Sequence, residues 1–270
     1  MIKMASIVPQ NFLEFTRDAD IHMALACCVG EKGYEAYTKF FSKQRKADSF
    51  LIMDNGVIEG KPMPFEECVR RAELINADEI VLPDVYKDNH GTYNAVKEAI
   101  DYYVAHDMLN NRFRLMVVPQ GDSMEDWLDC AMHLITSFGV HISTIGIPKH
   151  LIDTCKERDG RLIAISNLYD RLPNLHEWDI HLLGCWKTPL EVLVCAKASE
   201  QGIIPNIRSC DSAIPYVYAR NDLRFSDDDR PDTDPIDFKN GYCNPIYLAY
   251  NIASWVSIGD PNAERGIYFL

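Results

Sequence analysis

Side chains that could do chemistry stand at the ends of successive apolar runs in this sequence. Asp54, Asp84, Gln120 and Asp211 each lie at or near the end of a different run. A carboxylate is costly to bury unless it has a partner or a function. Each residue alone fits a loop cap or a turn, but their succession along the chain favours one shared pocket.

The same runs supply further candidate residues for binding a flat ligand, namely Gly121, Gly146, Ile147, Leu183 and Gly184. Glycine lets the backbone approach a ring closely. Two carboxylates that flank a glycosidic bond suit glycosyl transfer with retention, because one attacks the anomeric carbon and the other moves the proton. A third carboxylate and a carboxamide match the hydrogen-bonding edge of a guanine-like base.

The elements that must position these residues are strands alternating with amphipathic helices. Near-continuous apolar runs, typical of parallel strands covered on both faces, occur at 21–26, 49–56, 79–86, 114–121, 143–149, 180–186 and 203–211. Helical patterns occur at 64–76, 123–139, 189–202 and 242–259.

This alternation predicts a (β/α)8 TIM-type barrel of the α/β class, in which an active site forms at the carboxyl ends of the strands. Seven units are countable, the eighth is unassigned, and 242–259 is expected to be the closing helix. We expect one barrel domain over residues 1–270, with an acidic surface loop at 226–237.

Composition narrows the class of protein. The chain has 270 residues, 47% of them hydrophobic, and a formal net charge of −13. That charge argues against a general nucleic-acid coat protein, although it leaves room for an enzyme with one basic groove. No apolar stretch approaches a membrane span. We therefore expect a cytoplasmic protein without a membrane partner.

Metal and cofactor motifs are missing from the sequence. The nine cysteines include no CxxC pair, and most lie in apolar segments, so we expect reduced core thiols and no zinc site. Neither a GxGxxG nor a Walker motif occurs. The sequence predicts a reaction that needs no cofactor.

The order of the motifs resembles that of the tRNA-guanine transglycosylases, which exchange guanine for a 7-deazaguanine. The stretch DNGV is similar to the family's general acid/base motif and gives that role to Asp54. LPDVY is similar to its base-recognising aspartate motif, hence Asp84, and VPQGD to its glutamine motif, hence Gln120.

Three more motifs follow in the family's order, and the resemblance spans residues 45 to 221. TIGIPK resembles the glycine-containing base-binding loop, which implicates Gly146 and Ile147. HLLGCW resembles the motif whose Leu183 would pack on the base. DSAIPYVYAR resembles the nucleophile motif, which makes Asp211 the nucleophile.

Departures from the family pattern concern the polymer that is bound. The family's C-terminal zinc subdomain has no counterpart here. Tyr216 and Val217 replace a Thr-Arg pair that includes an arginine contact to tRNA, and Ile58 stands where bacterial members stack an aromatic residue on the base. The chain thus looks like the compact, virus-associated branch that inserts 7-deazaguanines into DNA.

The resemblance implies a glycosyltransferase that uses DNA and a free 7-deazaguanine base, such as the 7-cyano form, through a covalent intermediate on Asp211. The alternatives are a transglycosylase acting on tRNA, a barrel N-glycosidase that releases bases from nucleosides, and a non-catalytic subunit of an active paralogue. If the gene is viral, the compartment is the host cytoplasm. A homodimer is left open.

Overall fold

Eight parallel strands with helices between them form a nearly closed barrel, so the predicted (β/α)8 fold is confirmed. The computed structural model describes residues 1–58, 60–106, 113–155, 159–185, 190–205, 207–227, 231–232 and 234–260. Three predicted positions lie outside the described residues: Trp186 at the end of the predicted strand 180–186, Asn206 within the predicted strand 203–211, and Pro189 at the predicted helix start.

The strands are three to six residues long. They are β1 (Lys3–Ser6), β2 (Ile21–Leu25), β3 (Phe50–Asp54), β4 (Glu79–Val81), β5 (Arg114–Val117), β6 (Thr144–Pro148), β7 (Asp179–Leu183) and β8 (Ile207–Ser212). Every paired neighbour is parallel, in the order β1-β8-β7-β6-β5-β4-β3-β2.

The strand that the sequence left unassigned is β1, at the start of the chain rather than near its end. It pairs with β8 and closes the barrel towards β2, with Ala5 and Ile21 in the same interior cluster. The predicted closing helix lies over β1, where the Trp255 indole N–H donates to the Ala5 carbonyl at 3.1 Å. The first and last segments of the described chain therefore meet on one side of the barrel.

Helices cover the outside of the barrel and alternate with its strands. They are α1 (Glu35–Lys39), α2 (Phe65–Ile75), α3 (Asn89–Ala105), α4 (Met124–Phe138), α5 (Leu151–Cys155), α6 (Gly160–Arg171), α7 (Leu190–Glu200), α8 (Ile214–Arg220) and α9 (Pro245–Ile258). Ser123 caps α4 by accepting from the Asp126 amide at 3.2 Å, as is usual at a helix start. None of the helices in the described part of the chain has the length and apolarity that crossing a bilayer requires.

The interior of the barrel is apolar in its middle and charged at the amino-terminal ends of the strands. Ile52, Val81 and Met116 belong to the apolar cluster. Below them, Arg208 of β8 reaches across to Glu79, the first residue of β4, with Nη2 and Oε2 2.6 Å apart. This ion pair occupies the end of the barrel opposite the predicted site.

The acidic loop at 226–237 is attached to α8 in the residues that the structure describes, which exclude 228–230 and 233. Arg220 donates to the carbonyls of Asp232 and Asp234 at 3.1 Å each and to that of Pro235 at 3.3 Å. Asn221 exchanges two further hydrogen bonds with the Asp232 backbone. Arg220 therefore holds this part of the surface loop through backbone carbonyls rather than through carboxylates.

Candidate active site

The predicted site residues lie at the carboxyl end of the barrel, which we call the mouth. Asp54 is the last residue of β3 and shares the face of Ile52, since side chains two apart on a strand point the same way. Asp211 is paired in register with Ala5 of the interior cluster. Both aspartates therefore face the barrel interior.

Three side chains at the ends of β3, β4 and β5 form a connected cluster, which we call the amide–carboxylate cluster: Asn55, Asp84 and Gln120. The Asn55 amide donates to Asp84 Oδ1 at 2.7 Å and to the Leu82 carbonyl at 2.9 Å. The Gln120 amide donates to Asp84 Oδ2 at 2.5 Å. One donor on each oxygen fixes the plane of the Asp84 carboxylate.

Burial raises the pKa of Asp84 to about 6. The hydrogen bonds from Asn55 and Gln120 oppose this shift, while the nearby charge of Asp54 adds to it. An ion next to a like charge in a poorly hydrated site is destabilised, so the proton is retained to a higher pH. The mouth thus contains a carboxyl group that changes its ionisation close to neutral pH.

Asp54 begins the turn that follows β3. Its Oδ2 accepts the Gly56 amide at 3.0 Å, and Gly56 adopts a left-handed conformation with φ of 78°. A side chain there would meet the Lys61 carbonyl, since an added Cβ would lie 2.6 Å from that oxygen. The glycine therefore permits the tight turn that places Asp54 and Asn55 side by side at the mouth.

Asp211 is buried, and the hydrogen bonds that it makes with described residues fall on a single oxygen. Oδ1 accepts from His181 Nε2 at 3.0 Å and from the Gly184 amide at 3.1 Å. Among the described residues, Oδ2 has no hydrogen-bond partner. The described residues therefore hold the carboxylate through Oδ1.

Gly146 lies on β6, between the strands that carry the two groups of polar residues. A Cβ at this position would lie 2.8 Å from Leu183 Cδ1 and 3.1 Å from Met116 Sδ. The missing side chain thus leaves room for Leu183, which packs against the interior cluster from the end of β7. Leu183 is the last residue of β7, whereas Gly146 is the middle residue of β6 and lies beside the interior cluster.

The end of β7 is held from behind by a buried ion pair. Arg161 donates to the Gly184 carbonyl at 2.8 Å, and its Nη2 lies 2.6 Å from Glu191 Oε2. Burial opposes the charge of the guanidinium, but the contact with Glu191 outweighs burial and raises the pKa of Arg161. This pair fixes the left-handed Gly184 (φ 68°), whose amide contacts Asp211.

Two predicted base-binding residues serve the packing of the barrel in this structure. A Cβ on Gly121 would lie 2.3 Å from the Trp127 amide, so the glycine allows α4 to start close to β5. The Ile147 side chain is fully buried in the core outside the barrel, on the face opposite to Gly146. Ile58, in the loop after β3, is exposed.

A further group at the mouth consists of Tyr86, Lys87 and His150. The Lys87 amide, in a left-handed conformation, donates to Gln120 Oε1 at 3.1 Å, which joins this group to the amide–carboxylate cluster. The half-exposed Tyr86 ring meets the His150 ring at 5.1 Å. Burial, with a contribution from Lys87, lowers the pKa of His150 to about 4, so the imidazole is neutral at pH 7.

Sequence reasoning missed Asn55, His181 and Arg161. Asn55 directly follows Asp54, and an amide next to a candidate carboxylate was the available signal. His181 stands two residues before Leu183 in an apolar strand, so the period-2 rule put it on the same face. Arg161 had no signal, because its partner Glu191 lies 30 residues away.

Two depressions of the outer surface are lined by none of the residues described at the mouth. One, of about 400 Å³, lies between α4 and α6 beside the Glu125–Arg171 ion pair, and the other, of about 460 Å³, lies beside α1. Within the described residues, no group of three metal-ligating side chains is close enough to hold an ion. We place the candidate site at the mouth because its carboxylates converge where active sites of this fold occur.

The fold and the mouth define the class: a (β/α)8 barrel with the amide–carboxylate cluster on one side of its mouth and, on the other, a buried aspartate that is held through Oδ1. A scan of the sequence against protein-family models matches none of them, and a search of curated proteins finds no significant relative. The structure alone establishes the fold, and function has to be argued from the chemistry of the mouth.

Proposed function

We propose that the protein is a base-exchange transglycosylase that replaces guanine in DNA with a 7-deazaguanine. The observation that carries this proposal is the pairing of two features at one mouth. One is a buried aspartate, Asp211, whose Oδ1 is held by two donors while its Oδ2 has no partner among the described residues. The other is the amide–carboxylate cluster, which presents a guanine-reading edge.

The amide–carboxylate cluster has spare hydrogen-bonding capacity of the right kind. A carboxylate accepts about four hydrogen bonds, and Asp84 receives one on each oxygen. It can therefore accept the ring N–H and the exocyclic amine of guanine. The Gln120 amide group has two N–H donors and uses one on Asp84, so the second can serve the carbonyl of the base, while its oxygen accepts from the Lys87 amide.

In the first half of the reaction, Asp211 Oδ2 attacks the anomeric carbon of a guanosine unit that has left the base stack. A stacked base cannot offer that carbon and its own edge to a closed pocket. The bond from carbon to the new ester oxygen forms as the bond to N9 of guanine breaks. Asp54 delivers the proton that N9 of the leaving base takes up.

In the second half, a free 7-deazaguanine occupies the same edge of the amide–carboxylate cluster. Asp54 takes the proton from its N9, and the resulting nitrogen attacks the anomeric carbon. The ester bond breaks and Asp211 leaves as a carboxylate. Two inversions give overall retention at the sugar.

The surroundings of the mouth support a nucleic-acid substrate despite the net charge. Loops at this end carry Lys61, Lys87 and Lys149, and the half-exposed Tyr86 offers a stacking surface. Tyr216, at the position of the family's threonine, is buried and donates to the Tyr242 carbonyl at 3.3 Å. A packing side chain at that position favours DNA over the tRNA contacts of the family.

The test supplies single-stranded and duplex DNA, tRNA or free nucleosides, together with radiolabelled guanine or 7-cyano-7-deazaguanine. We expect label to enter DNA and a covalent protein–DNA adduct to form with wild type. Asp211→Asn should abolish both, whereas Asp170→Asn, an exposed carboxylate on α6, should behave as wild type.

The acceptor that reacts distinguishes the alternatives. Label in tRNA but not in DNA would identify a tRNA enzyme. Release of base from free nucleosides without a replacement base would identify an N-glycosidase. Exchange that persists in Asp211→Asn would refute the role of this nucleophile.

A further inference from the structure

A line of hydrogen bonds crosses the barrel interior from the charged layer to the mouth. Arg208 Nε lies 3.1 Å from Ser209 Oγ, which lies 2.7 Å from His181 Nδ1. The other ring nitrogen, His181 Nε2, lies 3.0 Å from Asp211 Oδ1. Ser209 and His181 are fully buried, so water does not compete for these contacts.

The chemistry of the side chains assigns the donor and the acceptor of each hydrogen bond in this line. Arginine can only donate, so Ser209 Oγ accepts from Arg208. The Ser209 hydroxyl hydrogen then has one acceptor within reach among the described residues, His181 Nδ1. An Nδ1 that accepts carries no hydrogen, so the hydrogen of a neutral imidazole is on Nε2, where it is donated to Asp211.

The starting point of the line is rigid. Arg208 lies where the pairing of β7 and β8 shifts register, a β-bulge that turns its side chain into the barrel. Its guanidinium contacts both Glu79 oxygens at 2.6 and 3.1 Å, and stacks over the Phe50 ring at 4.8 Å. Arg208 thus orients Ser209 from a fixed position.

We propose that Arg208 and Ser209 hold His181 as the Nε2–H tautomer, and that His181, together with the Gly184 amide, immobilises Oδ1 of Asp211 so that Oδ2 is the attacking atom. The assignment of the attacking atom rests on the proposed function. The tautomer and the immobilised oxygen do not. His181 is a positioning residue, because both of its ring nitrogens are engaged within the protein.

The first test reads the tautomer directly and needs no substrate. Nitrogen-15 NMR of the imidazole rings, with the His181 signals assigned by their loss in His181→Gln, should show a neutral Nε2–H ring. Ser209→Ala removes the hydrogen donated to Nδ1 and should populate the other tautomer. Ser254→Ala, which removes a buried hydroxyl on α9, should leave the His181 signals unchanged.

The second test follows the single-turnover rate of adduct formation on DNA. His181→Leu leaves Oδ1 with one donor and should slow the step about 100-fold, the usual cost of a misplaced reacting group, with oligonucleotide binding unchanged. His181→Gln, whose amide can both donate to Asp211 and accept from Ser209, should recover most of the rate. Ser209→Ala should fall between the two.

An imidazolium or an Nδ1–H ring in wild type would overturn the proposal, as would a Ser209→Ala protein with unchanged tautomer and rate. His181→Gln no faster than His181→Leu would show that the role is packing alone. Absence of any adduct in wild type would refute the proposed function, while the NMR result would still decide the tautomer.

Discussion

Asp84 should make the folded protein less stable as the pH rises from about 4 to about 6. Burial raises its pKa to about 6, against the ordinary value of 3.8 expected in the unfolded chain. Below that ordinary value both states carry the proton, so Asp84 contributes nothing. Between the two values the unfolded chain releases the proton and the folded protein retains it, which favours unfolding.

The magnitude follows from the difference between the two pKa values. About two units at about 1.4 kcal/mol each amount to roughly 3 kcal/mol, lost by the folded state between about pH 4 and pH 6 and constant above. Asp84→Asn abolishes this titration. Because Asn55 and Gln120 both donate to Asp84, the new amide should lose one hydrogen bond at a cost of about 1 kcal/mol that does not vary with pH.

The assay is urea unfolding followed by circular dichroism from pH 4 to pH 8. The difference in free energy of unfolding between Asp84→Asn and wild type should move by about 3 kcal/mol in favour of the variant as the pH rises. Asp54→Asn removes the neighbouring charge and should therefore lower the pKa of Asp84 in the folded protein. The pH range over which Asp84 destabilises the fold should become narrower. Asp170→Asn serves as the exposed control.

Two results would refute this reasoning. A difference between Asp84→Asn and wild type that stays flat within about 0.5 kcal/mol, the scale of surface substitutions, would mean that burial does not perturb the carboxyl group. A difference that moves in favour of wild type as the pH rises would mean that the hydrogen bonds from Asn55 and Gln120 outweigh burial.

Three other outcomes are expected. Arg161→Met leaves Glu191 buried without its partner and should lower the free energy of unfolding by about 3–5 kcal/mol in urea titrations; a loss below about 1 kcal/mol would contradict this. Gly121→Ala forces a Cβ to 2.3 Å from the Trp127 amide and should cost about 1–3 kcal/mol, seen as a lower melting temperature. Tyr86→Ala should weaken binding of single-stranded oligonucleotides by about 1–3 kcal/mol in fluorescence anisotropy, with unfolding unchanged because the ring is half exposed.

The fold was largely predictable because hydrophobic periodicity is a local property. Each of the seven predicted runs overlaps a strand, since a parallel strand covered on both faces is apolar along most of its length. The exception, β1, is four residues long and includes Lys3, so it offers too little apolar sequence to be recognised. Only its pairing with β8 makes it a strand.

The candidate site was predictable as a set of residue types but not as a set of contacts. Asp54, Asp84 and Gln120 stood out as polar residues at the ends of apolar runs. That Asn55 joins Asp84 to β3 depends on a contact across 29 residues, which no local pattern encodes. The roles of Gly121 and Ile147 were not predictable for a similar reason: a position near a strand end does not reveal which face its side chain takes.

By itself, the sequence determined the alternation of strands and helices, and with it the end of the barrel where polar residues collect. These follow from side-chain periodicity, which acts over a few residues. Tertiary structure decided the pairings across the barrel: His181 with Asp211, Arg208 with Glu79, and Arg161 with the end of β7. Barrel closure brings distant strands together, so the orientation of Asp211 became apparent only in the folded chain.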